Sequence, residues 1–405
     1  MDSSHVSQYV LSTSIFTVKL LAMYTRLLPV PSHTFFLFGP RGTGKTTWLQ
    51  QHFPAAKWFD LVRTEELLRL MRRPEEFRTE IEALLGDHWI VVDEIQKYPT
   101  LLNDVQALIA THGNRFRFAL TGSSARKLRR MEVNLLAGRA LTRSFFPLTG
   151  AELEYDFDID DLLRFGCLPK VRTEPEIAVD ILEAYAATYL KEEIQQEALV
   201  KDLGSFTRFL DIAALMNGQI VNVAAIARDA AVARPTVQRY FDTLIDTLIG
   251  VWLPAWRPRV KVKEVQHAKF YFFDPGVVNA LAGRLRDPLD KQDQGFLLET
   301  LVLHELRAAM TMRNCGGLLS YWRTPTGTEI DFIWSRAKIA IGIEIKLSTV
   351  WKREFGAALK ELHAATHLQQ CFAVYLGATR LKDGPIEVLP LKTFMQALAT
   401  GEILP

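Results

Sequence analysis

The sequence predicts an α/β protein of several domains: a parallel-sheet core near the amino end, a helical middle, and a second α/β unit at the carboxyl end. Three observations predict it. The β-type run Thr34-Phe35-Phe36-Leu37-Phe38 passes through a glycine-rich loop into the helical Trp48-Leu49-Gln50-Gln51. In the middle, Phe206–Met216, Val221–Asp229 and a stretch opening at Arg234 read as three helices, the last two joined by Ala230-Ala231-Val232-Ala233. Near the end, helix, three strands, helix and strand follow in the order αβββαβ.

The chain has 405 residues, enough for two or three domains at about 150 residues each. Hydrophobic residues at 48% and charged residues at 23% place it among ordinary folded proteins and exclude a disordered or collagen-like chain. Forty-eight basic against 46 acidic side chains leave +2, so any nucleic-acid partner must be met by a local patch. Cys167, Cys315 and Cys371 are odd in number and lack CxxC spacing, which argues against a disulfide framework or zinc site and for a reducing, cytoplasmic compartment. The apolar stretch Val10–Val18 has no basic leader and is interrupted at Lys19, so neither a signal peptide nor a membrane span is expected. Residues 1–22 read as an extension, with Met23 an alternative start.

Gly39-Pro40-Arg41-Gly42-Thr43-Gly44-Lys45-Thr46-Thr47 is GxxxxGK[ST] in its strand–loop–helix setting, a P-loop. Glycines at 39, 42 and 44 let amide groups converge on phosphate oxygens beside a helix start, with Thr43 and Thr47 in the same cradle. Lys45 is expected to bridge the terminal phosphates of ATP, and Thr46 to ligate Mg²⁺. The buried-type strand His88-Trp89-Ile90-Val91-Val92 ends in Asp93-Glu94. Here Asp93 is expected to hold the metal, and Glu94 to polarise the attacking water. A third strand, Phe116–Leu120, ends in Thr121-Gly122-Ser123-Ser124, where Thr121 or Ser123 can sense the γ-phosphate or cap the helix that follows.

The series Gly39–Thr47, Asp93-Glu94, Thr121–Ser124 and Leu136-Ala137-Gly138-Arg139, running on to Phe146-Pro147-Leu148, resembles a family of prokaryotic AAA+ ATPases fused to a long C-terminal region first catalogued as a domain of unknown function. The resemblance covers roughly Met23 to the C-terminus. It implies an AAA+ sheet core over 23–150, assembly into a ring or dimer, and an arginine finger at Arg139. Phe165-Gly166-Cys167-Leu168-Pro169 resembles the family's Gly-Gly-Leu-Pro turn, with Cys167 at the second glycine.

Residues 151–205 read as a helical lid or linker, with Tyr185–Ile194 its clearest amphipathic stretch. Over 206–280 the pattern is a helix-turn-helix with a wing, Pro235 fitting the start of the third helix. Arg234, Thr236, Gln238 and Arg239 are available to a DNA groove, and Val251–Val262 with Lys269–Phe273 reads as a wing carrying Arg257, Arg259, Lys261 and Lys263. Winged helices serve DNA contact and protein docking alike.

Over 281–405, Glu329 and Asp331 share one face of a strand, as do Glu344 and Lys346 of the next. Close carboxylates repel unless a divalent cation lies between them, so Asp331 and Glu344 suggest Mg²⁺ or Mn²⁺, and Lys346 a group that holds the attacking water or stabilises a pentavalent phosphate. Asp331…Glu344-Ile345-Lys346 resembles the PD-(D/E)xK nucleases, a restriction-endonuclease-like fold, and that resemblance gives Glu299 the place of a helix-borne acid. Ile330 stands where the superfamily's proline would be. The expected function is ATP-driven binding, remodelling or metal-dependent cleavage of DNA. The alternative is a nucleotide-dependent switch whose winged helix and inactive nuclease fold bind a protein or operator DNA.

Overall fold

A computed structural model describes residues 24–124, 136, 138–189, 202–257 and 267–405. The extension 1–22, the stretch 190–194, and Arg259, Lys261 and Lys263 lie outside the described residues.

The amino-terminal sheet is built from β1 (Phe35–Phe38), followed by α1 (Lys45–His52), β2 (Lys57–Asp60), α2 (Thr64–Arg72), α3 (Glu75–Glu82), β3 (His88–Asp93), α4 (Leu101–His112), β4 (Phe116–Gly122) and β5 (Leu141–Ser144). The strand order is β2-β3-β4-β1-β5, and every neighbouring pair is parallel. Continuous apolar runs suit such a sheet because helices cover both faces. Alternation then divides each strand: Phe36, Val92 and Phe118 enter one core, while Phe35, Leu37, Val91 and Ala119 enter the other with Trp48. The edge strand β5 reads Leu-Thr-Arg-Ser and is half exposed, the polar composition an edge tolerates.

The middle region contains α5 (Ile159–Phe165), α6 (Pro169–Thr173), α7 (Ala178–Ala184), α8 (Leu203–Leu215), α9 (Val223–Asp229) and α10 (Arg234–Asp246), then the antiparallel ribbon β6 (Gly250–Leu253) and β7 (Lys269–Phe272), and α11 (Pro275–Leu281). The second of the three expected helices begins at Val223, because the Asn222 side chain accepts hydrogen bonds from the amides of Ala224 and Ala225, each at 3.1 Å, and caps it. The strand expected over 251–262 stops at Leu253. Pro254 has no N–H for the ladder, and the chain leaves β7 to run alongside residue 321, where Trp256 N donates to Tyr321 O at 2.6 Å.

The carboxyl-terminal region opens with α12 (Lys291–Arg313), whose 23 residues span about 35 Å. It continues through β8 (Leu318–Arg323), β9 (Glu329–Arg336), β10 (Ile339–Lys346), α13 (Ala357–Ala364), β11 (Gln370–Tyr375), β12 (Leu381–Asp383), β13 (Ile386–Pro390) and α14 (Leu391–Thr400). Its sheet runs β12-β13-β11-β10-β9-β8. The αβββαβ order is therefore extended by two further strands and a last helix. One apolar core runs without a break from Leu148 through the three-helix region to Leu404. No helix among the described residues is long and apolar enough to cross a membrane.

Candidate functional site

The P-loop leaves the carboxyl end of β1, and Asp93 and Thr121 leave the same ends of β3 and β4, because the three strands are parallel neighbours. Gly42 (φ +80°) and Gly44 (φ +91°) take left-handed conformations that side chains resist, and a Cβ at Gly39 would lie 2.3 Å from Phe145 O. The Thr46 hydroxyl donates to Asp93 Oδ2 at 2.8 Å. Thr121 donates to the other Asp93 oxygen and accepts from the Glu94 amide at 2.9 Å. Burial pushes the Asp93 carboxyl above its ordinary range, while the two hydroxyls pull it back toward the ionised form. Thr46 and Asp93 therefore converge as hard oxygen donors, a set that fits Mg²⁺.

Lys45 is buried and donates to Gly39 O at 2.7 Å and Pro40 O at 3.1 Å. Thr43 is spent on the same loop, donating to Pro40 O at 2.9 Å, whereas Thr46 and Thr47 are exposed at the mouth. Glu94 holds a left-handed φ of +59°, an uncommon conformation for this residue type. Its carboxylate accepts from Ser123 Oγ at 3.0 Å and from the Gln96 amide. Thr121 and Ser123, expected to face the γ-phosphate or cap a helix, thus put their hydroxyls on the two acids. Arg139 stands exposed in the turn before β5.

Two groups at this site escaped the sequence reading. Gln96, buried beside Glu94 and Ser123, carries no motif signal. Arg26 lies 17 residues before Thr43 and donates to its carbonyl at 2.6 Å, to Phe146 O at 2.7 Å and to Glu152 Oε1 at 3.0 Å. From Glu152 the bonding continues to the Thr149 amide at 3.0 Å, and the adjacent Gly150 N donates at 2.7 Å to Glu305 on α12. Burial pushes the Glu305 carboxyl up to about 8, and it pulls the neighbouring His304 down to about 4.

A second cluster gathers Glu299 of α12, Glu329 and Asp331 of β9, and Glu344 and Lys346 of β10. Asp331 Oδ2 accepts from Ile345 N at 2.7 Å, and Glu344 is paired with Lys346. Glu344 Oε2 is buried without a hydrogen-bond partner. Burial and the facing Asp331 raise the Glu344 carboxyl well above its usual range.

Lys269 enters this cluster from β7, 3% exposed. It pairs with Glu329 and lies 3.5 Å from Glu299, whose carboxylate also accepts from Tyr271 OH at 2.6 Å. An ammonium thus sits among the acids, and a second, on Lys346, neutralises Glu344. As arranged, this donor set does not fit a divalent cation, and among the described residues no group of three or more His, Cys, Asp or Glu could hold a metal ion. Lys269 and Tyr271 escaped the sequence reading because Lys-Phe-Tyr-Phe reads as an ordinary strand; only their burial against α12 marks them.

At the third helix, Arg234, Gln238 and Arg239 are exposed and Thr236 is half-buried. Gln238 donates to Asp242 at 3.2 Å and Arg239 to Thr236 at 3.1 Å. Arg257, exposed four residues beyond β6 where the chain has left the ribbon, completes what is described of the expected DNA set.

Family comparison divides the chain into three segments. Residues 156–287 match a domain of unknown function (DUF8612), and residues 294–394 match another (DUF4143). Uncharacterized proteins of Mycobacterium bovis and Mycobacterium tuberculosis are each 28% identical over 341 residues, 81% of this chain and 74% of theirs. Among solved structures, the ORC1 protein of Aeropyrum pernix in complex with DNA aligns with a TM-score of 0.31 at 14% identity, over 63% of this chain and 87% of that one. Protein VC1899 of Vibrio cholerae aligns with a TM-score of 0.22 at 10% identity, over 91% and 97%. Residues 32–154, the segment holding the P-loop, Asp93 and Thr121, match the AAA domain, and the amino-terminal part of the chain is therefore an AAA-type ATPase domain.

Proposed function

We propose that the chain is an ATP-hydrolysing switch on DNA: an AAA+ core over 23–150, a linker layer over 151–205, a winged helix over 206–280, and a nuclease-like domain over 281–405 whose acidic cluster is closed by Lys269. The observation that carries the coupling is the bonded path from Thr43 O through Arg26 and Glu152 to Gly150 and Glu305. It ties the phosphate loop to the helix beneath the carboxyl-terminal sheet. A shift of the loop on nucleotide binding would displace the Arg26 guanidinium, and that motion would reach α12 through the Glu152–Thr149 hydrogen bond, the adjoining peptide and the Gly150–Glu305 hydrogen bond.

In hydrolysis the loop amides and Lys45 would hold the phosphates, and Thr46 with Asp93 would hold Mg²⁺, which would neutralise phosphate charge as it develops. Glu94 orients water, steadied by Ser123 and Gln96. Arg139, exposed before β5, would reach nucleotide as a finger in its own subunit or in a neighbour of a ring or dimer. On the DNA side, Arg234, Gln238, Arg239 and Arg257 supply the contacts.

Metal-dependent cleavage is the second reading, favoured by the unpartnered Glu344 oxygen, and it requires Lys269 to leave. The deciding experiment measures ATPase rates without DNA and with single-stranded or duplex DNA, at two salt concentrations and several protein concentrations. Stimulation by DNA that weakens with salt, disappears in Lys45→Ala and falls in Arg234→Ala is expected. A rate indifferent to DNA at both salts sinks the DNA coupling and leaves the ATPase assignment standing.

A further inference from the structure

A cavity of about 270 Å³ opens where β5, β6, α12 and β8 meet, lined by Phe146, Trp252, Leu303, Met310, Leu318 and Arg307 among others. Its walls combine aromatic and aliphatic side chains with the hydroxyls of Ser144 and Thr311 and one formal charge. The Arg307 side chain projects from α12 with its guanidinium carbon 5.3 Å from the centre of the Phe146 ring, a cation–π contact.

Two more deeply buried cations have acids: Arg26 lies 3.0 Å from Glu152 and Lys269 lies 3.5 Å from Glu299. Among the described residues no carboxylate pairs with Arg307, and burial alone acts on it, drawing its guanidinium down to about 10, still cationic at neutral pH. Arg307 is half-buried, and a guanidinium without an acid partner on the wall of an apolar-lined cavity keeps its fork free for an anion.

We propose that this cavity binds a small organic monocarboxylate with an apolar body, its carboxylate taken by the Arg307 fork and its body by Phe146, Trp252, Leu303 and Met310. The charge count selects a monoanion over a phosphate. His304, one turn before Arg307, is kept neutral by burial and bonds to Leu148 O at 3.0 Å, so one positive charge faces the space. The volume lies under the roughly 300–1,000 Å³ of drug-sized pockets, which suits benzoate-sized acids. Planar bidentate pairing is what a guanidinium offers a carboxylate. Because strands of the ATPase sheet, the ribbon and the carboxyl-terminal sheet all line the site, the ligand would join the three regions.

The test is a thermal-unfolding titration of the full chain with benzoate, 3-phenylpropionate and hexanoate, against benzamide and inorganic phosphate, without nucleotide. A saturable rise in Tm of about 2–4 °C with at least one acid, absent with the amide and with phosphate, is expected. Arg307→Met should abolish the response, and Arg307→Lys should weaken it. No response to any acid at millimolar concentration, equal responses to benzoate and benzamide, or an undiminished response in Arg307→Met overturns the assignment. If Arg307→Met does not fold, the acid–amide comparison on the unmodified chain decides.

Discussion

The nucleotide pocket and the carboxyl-terminal acidic cluster each bring acids and a lysine to the ends of adjacent strands, yet they differ in what holds the acids. Asp93 is held by hydroxyls, from Thr46 at 2.8 Å and from Thr121, which orient the carboxylate and leave its charge for a cation. Glu299, Glu329 and Glu344 are held by the ammonium groups of Lys269 and Lys346, which cancel the charge. Acid and lysine types at motif spacing therefore do not by themselves define a metal site; the partner's charge does.

The sharpest way to break the contrast is Lys269→Met. Removing one member of a buried ion pair strands the other, at a cost of about 3–5 kcal/mol. The variant should lose that much in chelator and regain it with Mn²⁺, whereas the unmodified chain, in the absence of nucleotide, should be indifferent to Mn²⁺. A variant equally stable with and without Mn²⁺ would show that the pocket never accepts a cation. On the other side, Asp93→Asn keeps the shape and removes the charge, and should lower the ATPase rate about 10²–10³-fold without a comparable loss in Tm.

A subtler difference lies along the path between the two pockets. Glu305 has a folded-state value of about 8 against an ordinary 4.5, so the folded chain binds the proton more tightly than the unfolded one does. Stability from this group is present below pH 4.5 and is lost as pH rises to about 8, by about 1.4 kcal/mol per pH unit at most. His304, drawn down from 6.5 to about 4, acts oppositely between those values: its contribution is present above pH 6.5 and is lost as pH falls. Between pH 6.5 and 8 Glu305 acts without it, and Glu305→Gln, which still accepts from Gly150 N, should flatten the fall in Tm seen there. An unchanged slope would remove Glu305 as its source. The smallest effect is expected at the third helix, where Arg239→Ala should reduce the salt slope of DNA binding by about one, read by fluorescence anisotropy.

Much of the nucleotide pocket was legible because its parts are local. A loop between one strand and one helix must carry its own glycines and lysine, and the strand ending in Asp93-Glu94 announces itself by its apolar run. The carboxyl-terminal cluster was legible only in part. Asp331, Glu344 and Lys346 follow from two-residue alternation on adjacent strands, but Lys269 is 62 residues before Asp331 in the chain and reaches it only because β7 packs against α12 and β9. Arg26, Gln96 and Arg307 carry no motif, and each matters through what its neighbours lack or supply.

From the amino acids alone followed the phosphate loop, its partner acid, the three helices and the alternating faces of the carboxyl-terminal strands, since backbone propensity and side-chain period are properties of neighbouring residues. Tertiary packing alone decided which acids keep their charge, which lysine enters which cluster, and which guanidinium lines a cavity with no acid partner among the described residues. Electrostatic fate depends on burial and on partners brought from distant segments, and those exist only once the strands and helices have packed.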